Sequence, residues 1–441
     1  MWVGIWIDLA IPLGRRLDCL RDLVHLYITR STNAGLNLCI EATHMDRKYN
    51  RIAYAASAFW SRTIVQLLLL ERSRWRHFAI NLAEDINVFD YLQGLTGSYD
   101  GLEKLELGEG VDYRPSETPG QYHYDVTVLD GLASDSPNLR ELHISGSYFE
   151  HLESMPFKFQ QLTSVIVNGS SCYDWGQIVH MLQAFPSLER CSIDFGCTFP
   201  ETDEELEDSL FPVPHSRLTT LKSLTMTMGS LYMASTVMLT LILPSLTDLN
   251  LTFDSFWEFP AEFQCLQNPS PSNDRMFGLK MMLQESSCPL QSLKLTCGDL
   301  FSTKEISDLL SLLPSLISLS LDAACDMLST KFFVGLTASQ GAFKPTLVPH
   351  LTSLDISLAD LYSRTSALPD PETILSMIKS RQSGTDVLSH FGLTAPARAA
   401  VESEKEWGQS LREMMRIRLR GYREQSRTQR KLTHILDLGE L

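Results

Sequence analysis

One short pattern, Leu-x-x-Leu-x-Leu with conservative replacements, recurs along the chain. Two copies, beginning at Leu290 and Leu316, stand 26 residues apart. Side chains alternate between the two faces of a β-strand, so the fourth and sixth residues of each copy point the same way. Each copy therefore predicts a strand with one apolar face. The nine copies begin at Leu102, Leu139, Leu162, Leu188, Leu221, Leu246, Leu290, Leu316 and Leu351, and a tenth, degenerate copy begins at Trp75.

The segments between the copies have the apolar spacing of helices. Ser302 followed by Glu305 fits a capping box, and Asp370 before Pro371 places an N-cap residue ahead of a proline at the first helical position. A proline two residues before the first leucine of five copies is expected to end the helix and favour an extended chain. The predicted helices lie within 175–185, 235–243, 305–313 and 372–381, and the five prolines are Pro137, Pro186, Pro244, Pro314 and Pro349.

A unit of one strand and one helix cannot bury its apolar face alone, and stacking such units gives a continuous core. Each buried Leu or Ile contributes roughly 1.5–3 kcal/mol relative to exposure. The predicted fold is therefore α/β, an irregular solenoid of horseshoe type with parallel strands on the concave face and helices outside. The pattern resembles leucine-rich repeats over roughly residues 75–380. The usual Asn or Cys after the sixth position is missing from all nine copies, so the turns must satisfy their backbone groups without an asparagine ladder.

Composition and charge exclude several classes of protein. The 441 residues carry a formal net charge of −16, which is a poor match for nucleic acid. No apolar run approaches the roughly 18 residues of a membrane span. The nine cysteines are scattered and never spaced as Cys-x-x-Cys, and Cys191 at a leucine position is expected to be a small buried residue. We therefore expect no cofactor, no metal site and no membrane span, and a cytoplasmic or nuclear location.

The region before the repeats contains four features in a fixed order. Trp6 comes first, then a helix ending in Arg30-Ser31, an apolar strand from Leu36 to Ile40, and a Ser-x-Arg-Trp segment within Arg72 to Arg76. This order resembles a family of fungal, basidiomycete-type F-box proteins with leucine-rich repeats. The helix near 372–381, ending in Ser-Arg, also has its counterpart in that family.

The resemblance implies a subunit of a ubiquitin ligase whose repeats hold the protein to be ubiquitinated. The F-box itself, which binds the adaptor of a cullin–RING ligase, is missing from this chain, so adaptor binding is expected only if an F-box is restored. The expected domains are a remnant after the missing F-box plus an N-terminal capping segment (1–74), the solenoid (75–381), and a C-terminal capping helix or basic tail (382–441). Long insertions are expected at 108–124, 196–217, 254–287 and 359–370.

The strand positions between the leucines give the candidate binding surface. Hydroxyl groups dominate there, which suits hydrogen bonding to a protein substrate or peptide better than binding of phosphate. No catalytic motif occurs, so we expect a protein that is not an enzyme; an adaptor or scaffold without a ligase link, and an enzyme with a site hidden in the insertions, are the alternatives. The candidate partner-binding residues are Lys104, Glu106, Glu141, His143, Arg190, Asp248, Asn250, Lys294 and Asp355.

Overall fold

The structure is a computed structural model of the chain. It describes residues 3–8, 17–42, 66–82, 98–109, 136–145, 160–170, 175–195, 215–229, 231–253, 274–298, 300–323, 328–337, 347–358, 370–382 and 388–394. The chain divides into two compact units, Met1–Phe211 and Pro212–Leu441. The predicted C-terminal helix or tail, the acidic part of the 196–217 insertion and most of the 108–124 and 359–370 insertions lie outside the described residues.

The first unit contains seven parallel strands in chain order, each paired with the strand before and after it. Its helices are α1 (Leu17–Ser31) and α2 (Trp175–Gln183), with a short helical segment at 66–69 and a 3-10 turn at Arg72–Arg74. The strands are β1 (Val3–Asp8), β2 (Leu36–Ala42), β3 (Trp75–Leu82), β4 (Lys104–Glu109), β5 (Glu141–Ser145), β6 (Ser164–Ser170) and β7 (Arg190–Phe195).

The second unit contains a run of six further parallel strands and a small two-stranded sheet of β8 (Ser216–Arg217) and β10 (Leu241–Ile242). The six strands are β9 (Ser223–Met228), β11 (Asp248–Phe253), β12 (Ser292–Gly298), β13 (Ser318–Ala323), β14 (Ser353–Leu358) and β15 (His390–Thr394). The described helices are α3 (Leu231–Leu239), α4 (Phe277–Ser286), α5 (Thr303–Ser311), α6 (Thr330–Leu336) and α7 (Pro371–Gln382). Parallel strands in sequential order are the arrangement of a repeat solenoid, so the predicted α/β fold class is confirmed.

All nine repeat copies form strands, and each strand begins two residues after the first leucine of its copy. The degenerate copy at Trp75 forms β3. An eleventh copy, Leu388-x-x-Phe391-x-Leu393, was not predicted and forms β15. Strands thus occur on both sides of the boundaries expected at residues 75 and 381, since β1 and β2 precede the first and β15 follows the second. The domain division itself stays a prediction.

The repeated apolar side chains form the core of each unit. In β13, Leu319 and Leu321 are at most 1% exposed, whereas the intervening Ser318 and Ser320 are only partly buried. The same alternation marks β7, β9 and β11, which confirms that one face of each strand is packed. The opposite face, which we call the open face, carries the polar positions.

Pro186 and Pro314 follow the ends of α2 and α5, as predicted, and all five prolines share a further role. Each is the second residue of a tight turn, in which the amide of the first repeat leucine donates to the carbonyl three residues before it, as from Leu139 to Ser136 at 3.1 Å and from Leu246 to Leu243 at 3.2 Å. Proline is favoured at this position because its fixed φ matches the turn. The residue that follows can tie one turn to its neighbour: Ser245 Oγ donates to the carbonyl of Thr219 at 2.6 Å.

A second contact repeats from strand to strand at the residues where the strands begin. The carbonyl of Thr247 accepts from the amides of Gln291 at 2.8 Å and Ser292 at 2.9 Å. The carbonyl of Gln291 in turn accepts from the amides of Ile317 and Ser318, both at 2.8 Å. We call this series the carbonyl ladder. It recurs at Glu103, Arg140, Thr163, Lys222, Ile317 and Thr352, so the backbone groups at the strand entrances are satisfied.

Three predicted helices match closely and one is shifted. The Ser302–Glu305 capping box is present, and Asp370 accepts from the amides at the start of α7. The helix predicted at 235–243 is wrong in its second half: α3 ends at Leu239, and 241–242 form β10. The second half of the predicted 254–287 insertion is also wrong, because α4 lies there. Gly278 of α4 contacts Ser235 of α3 so closely that a Cβ atom would clash with the backbone.

Two arginines fasten helix ends to the rest of their units. Arg381, at the end of α7, is 2% exposed and donates to the carbonyls of Leu336 at 2.7 Å, Leu347 at 2.7 Å and Val348 at 3.0 Å. In the first unit Arg74 donates to the carbonyl of Ala34 and to other groups at the C-terminal end of α1. In both cases a guanidinium group satisfies carbonyls near the C-terminal end of a helix, and Arg381 also satisfies two in the turn before β14.

Candidate protein-binding face

The open face of the first unit holds the candidates Lys104, Glu106, Glu141, His143 and Arg190. Strand register aligns them in rows across the sheet, because residues paired on parallel strands point the same way. Lys104 pairs in register with Glu141, and Glu106 with His143. The structure therefore brings these four residues together, while Arg190 lies two strands beyond Glu141.

Glu106 is the centre of this cluster. Its Oε1 atom lies 2.5 Å from Lys104 Nζ, 3.0 Å from His77 Nε2 and 3.4 Å from His143 Nδ1. Its side chain is only 24% exposed, so the three contacts are partly shielded from water. Arg190 pairs with Glu141 at 3.2 Å, so every cation among these candidates already has a carboxylate partner.

The contacts set the protonation state of the cluster. Hydrogen bonds from His77 and Lys104, together with the charges of Lys104 and His143, lower the pKa of Glu106 to about 2, although burial opposes the shift. The pKa of His143 is lowered, chiefly by burial and also by the charge of Lys104. At neutral pH Glu106 is therefore ionised and His143 is neutral.

We expect Glu106→Gln to destabilise the protein by about 1–3 kcal/mol at neutral pH, the upper bound being the free energy of its pKa shift. The folded pKa lies below the unfolded value of 4.5, so this stabilisation is present above pH 4.5 and is lost as the pH falls towards 2. Urea unfolding of both proteins at pH 7 and at pH 3 checks the sign. Glu103→Gln, which removes an exposed pair with Arg76, serves as control with a cost of about 0–1 kcal/mol. A difference in unfolding free energy between the two proteins that grows as the pH falls would contradict the contacts assigned to Glu106.

The open face of the second unit has a different character. Register places three positions on each of five strands in this face, and all fifteen side chains are polar. None is aromatic or aliphatic. They are Ser223, Thr225 and Thr227 on β9; Asp248, Asn250 and Thr252 on β11; Ser292, Lys294 and Thr296 on β12; Ser318, Ser320 and Asp322 on β13; and Ser353, Asp355 and Ser357 on β14.

Within the residues that the structure describes, two of these fifteen side chains have a hydrogen-bond partner. Asp248 accepts from Thr247 Oγ1 at 2.7 Å, and Asp355 accepts from His390 Nε2 at 2.7 Å. The Oδ1 atom of Asn250 is buried and has no partner. Because a buried polar atom without a partner costs free energy, a donor on a bound chain would satisfy Asn250 Oδ1.

The candidates in the second unit are less concentrated than those in the first. Asn250 and Lys294 are paired in register, Asp355 lies two strands beyond Lys294, and Asp248 occupies the neighbouring row. Gly392 pairs with Asp355 on β15, and a Cβ atom there would collide with the Asp355 carboxylate. The absence of a side chain at this position therefore leaves Asp355 room to reach His390.

Several residues of these faces were missed at the sequence level. His77 occupies, in the degenerate copy at Trp75, the position that Lys104 occupies in the next copy, so strict alignment of that copy could have found it. His390 holds the same position in the unrecognised copy at Leu388. The third row, including Asp322, was missed because the strands continue past the sixth position of the repeat.

The described residues contain no group of three His, Cys, Asp or Glu side chains that could hold a metal ion. Burial raises the pKa of the Cys191 thiol to about 12, as expected for a small residue in the core. In the part of the chain that the structure describes, no helix is both long and apolar enough to span a membrane.

Comparison with known proteins adds little. The sequence matches no protein-family model and no curated protein sequence. The chain is similar to the crystal structure of a protein from Bacteroides fragilis, a target of the Northeast Structural Genomics Consortium. The two sequences are 14% identical, the match covers 64% of this chain and 73% of that chain, and the TM-score is 0.36. A likeness this distant carries no argument about family or function.

Proposed function

We propose that this chain is a non-catalytic protein-interaction module that binds a protein or peptide on its open faces. One observation carries the proposal: thirteen of the fifteen polar side chains on the second-unit open face have no hydrogen-bond partner among the described residues. Packing requires only the apolar face of each strand. Unpaired donors and acceptors at fixed spacing suit recognition of polar groups on another chain.

Charge reversal on the open faces tests this proposal. Peptides selected on the full chain from a displayed random library serve as ligands. We expect Arg190→Glu, Asp248→Lys and Lys294→Glu together to weaken their binding by 10-fold or more, which corresponds to about 1.4 kcal/mol, because these side chains are exposed on the open faces.

The matched control changes the net charge by the same amount on the helices. Lys304→Glu, Asp308→Lys and Lys379→Glu, all at exposed positions, should leave binding within about twofold. Equal losses from both sets, or a larger loss from the helical set, would move the site off the open faces. Thermal unfolding of each variant verifies that its fold is intact.

We further propose that the bound protein is a ubiquitination substrate, so that the chain is the substrate-recognition part of an F-box type ligase subunit. The support is the resemblance of Trp6, Arg30-Ser31, Leu36 to Ile40 and Arg72 to Arg76 to that family. An adaptor or scaffold without a ligase link is the alternative. Sequencing of the transcript upstream of Met1 discriminates: an in-frame Leu-Pro-x-Glu helix followed by apolar helices favours the ligase, and an upstream stop codon favours the adaptor.

A further inference from the structure

Three of the four charged side chains of the second-unit open face form an ordered pattern, and the fourth, Asp355, contacts His390. Lys294 lies in the middle row of β12. Asp248 lies on the preceding strand, β11, level with the residue two positions before Lys294. Asp322 lies on the following strand, β13, level with the residue two positions after Lys294. The three residues thus form a diagonal of alternating charge, negative, positive, negative. We call it the charge diagonal.

The spacing of the charge diagonal follows from sheet geometry. Neighbouring strands are about 4.8 Å apart, and residues on one face of a strand repeat about every 6.6 Å, so consecutive members of the diagonal are about 8 Å apart. This is the separation of the backbone positions from which the three side chains project. None of the three side chains makes an ion pair in the described part of the chain, and Lys294 and Asp248 are exposed.

On the first-unit open face, by contrast, the charged side chains form ion pairs with one another. There Lys104, His77 and His143 surround Glu106, and Arg190 pairs with Glu141. Cations and carboxylates are therefore already matched within the chain. On the charge diagonal no such match is made among the described residues, which leaves the three charges available to a partner.

We infer that the second-unit open face binds an extended peptide segment in which a basic, an acidic and a basic residue occupy positions i, i+2 and i+4. Side chains on one side of an extended chain repeat about every 6.8 Å, close to the 8 Å step of the diagonal, and long basic side chains cover the difference. Each basic residue meets an aspartate and the acidic residue meets Lys294. The hydroxyl groups around the diagonal bind the backbone and the polar residues between.

This inference rests on the proposed function and names the chemistry of the partner. Two nine-residue peptides of identical composition test it, Gly-Ser-Arg-Ser-Asp-Ser-Arg-Ser-Gly and a reordered form, Gly-Arg-Arg-Asp-Ser-Ser-Ser-Ser-Gly, both capped and carrying a neutral dye. Fluorescence anisotropy at low salt measures their binding to the full chain. We expect the alternating peptide to bind at least 10-fold more tightly than the reordered one.

A variant with the three charges of the diagonal reversed provides the second part of the test. In the variant Asp248→Lys, Lys294→Glu and Asp322→Lys, the preference should change to Gly-Ser-Asp-Ser-Arg-Ser-Asp-Ser-Gly, which the unaltered chain should bind at least 10-fold more weakly than the alternating basic peptide. The control variant Glu285→Lys, Lys304→Glu and Asp308→Lys makes the same net change at exposed helical positions and should keep the original preference.

Equal binding of the peptides, absence of binding by all of them, or a swapped variant that keeps the original preference would overturn the inference. None of these results would remove the proposed function, because library-selected peptides that lose affinity on open-face charge reversal establish that function separately. If the selected peptides are insensitive to open-face reversal, the proposed function fails and this inference fails with it.

Discussion

Arg381→Met is expected to destabilise the second unit by about 3–5 kcal/mol. The guanidinium group is buried and donates to three carbonyls, and burial lowers its pKa to about 10, so it stays charged at neutral pH. Methionine keeps much of the apolar stem but removes all the donors. The carbonyls of Leu336, Leu347 and Val348 would then be buried without these partners, at roughly 1–3 kcal/mol each.

Chemical denaturation, together with hydrogen exchange of the amides in α6, measures this loss. Arg381→Lys is the graded control, because an ammonium group keeps the charge but cannot reach three carbonyls in the fork geometry of a guanidinium. We expect its loss to fall between zero and that of the methionine variant. An unchanged denaturation midpoint for Arg381→Met would contradict the prediction and show that desolvation of the cation offsets its hydrogen bonds.

Leu319→Ala is expected to cost about 2–5 kcal/mol, as other truncations of fully buried leucines do. Leu319 is 0% exposed and lies in β13 between the leucines of neighbouring repeats, Leu293 and Leu354. The cavity would open between strands that the carbonyl ladder holds in place, so collapse around it is restricted.

Ser320→Ala, one residue away, provides the matched comparison. Its side chain lies on the open face and makes no hydrogen bond within the described residues, so the expected loss is under about 0.5 kcal/mol. The two variants are compared by urea unfolding under identical conditions. Similar losses would mean that the alternation in β13 is misassigned.

The repeated strands could be read from the sequence because each is specified locally. Leu316, Leu319 and Leu321 carry their own pattern, and the proline turn before them marks where the strand begins. The copy at Leu388 is harder to recognise in the sequence because Phe391 replaces a leucine and no proline precedes it. β1 lacks the first leucine of the pattern altogether, so only its pairing with β2 reveals it.

The sequence was enough to predict which residues lie on the candidate face, but not which of their side chains contact one another. Alternation was enough to place Lys104, Glu106 and His143 on one side of the sheet. The contact between Glu106 and His77 joins residues 29 apart, and it depends on register between strands whose connecting segments vary in length. The charge diagonal depends on register in the same way, which is why Asp322 was not recognised beside Lys294.

The carbonyl ladder also has a consequence for the gain and loss of repeats during evolution. Each ladder carbonyl receives its two amides from the next repeat alone, as Thr247 does from Gln291 and Ser292. Removal of one full period, residues 292–317, would place Ser318 directly after Gln291. Every remaining ladder carbonyl would then still have two amide donors in the next repeat. Gene rearrangement that removes or adds such a period would change the width of the open face in steps of one strand, about 4.8 Å each, with the ladder intact.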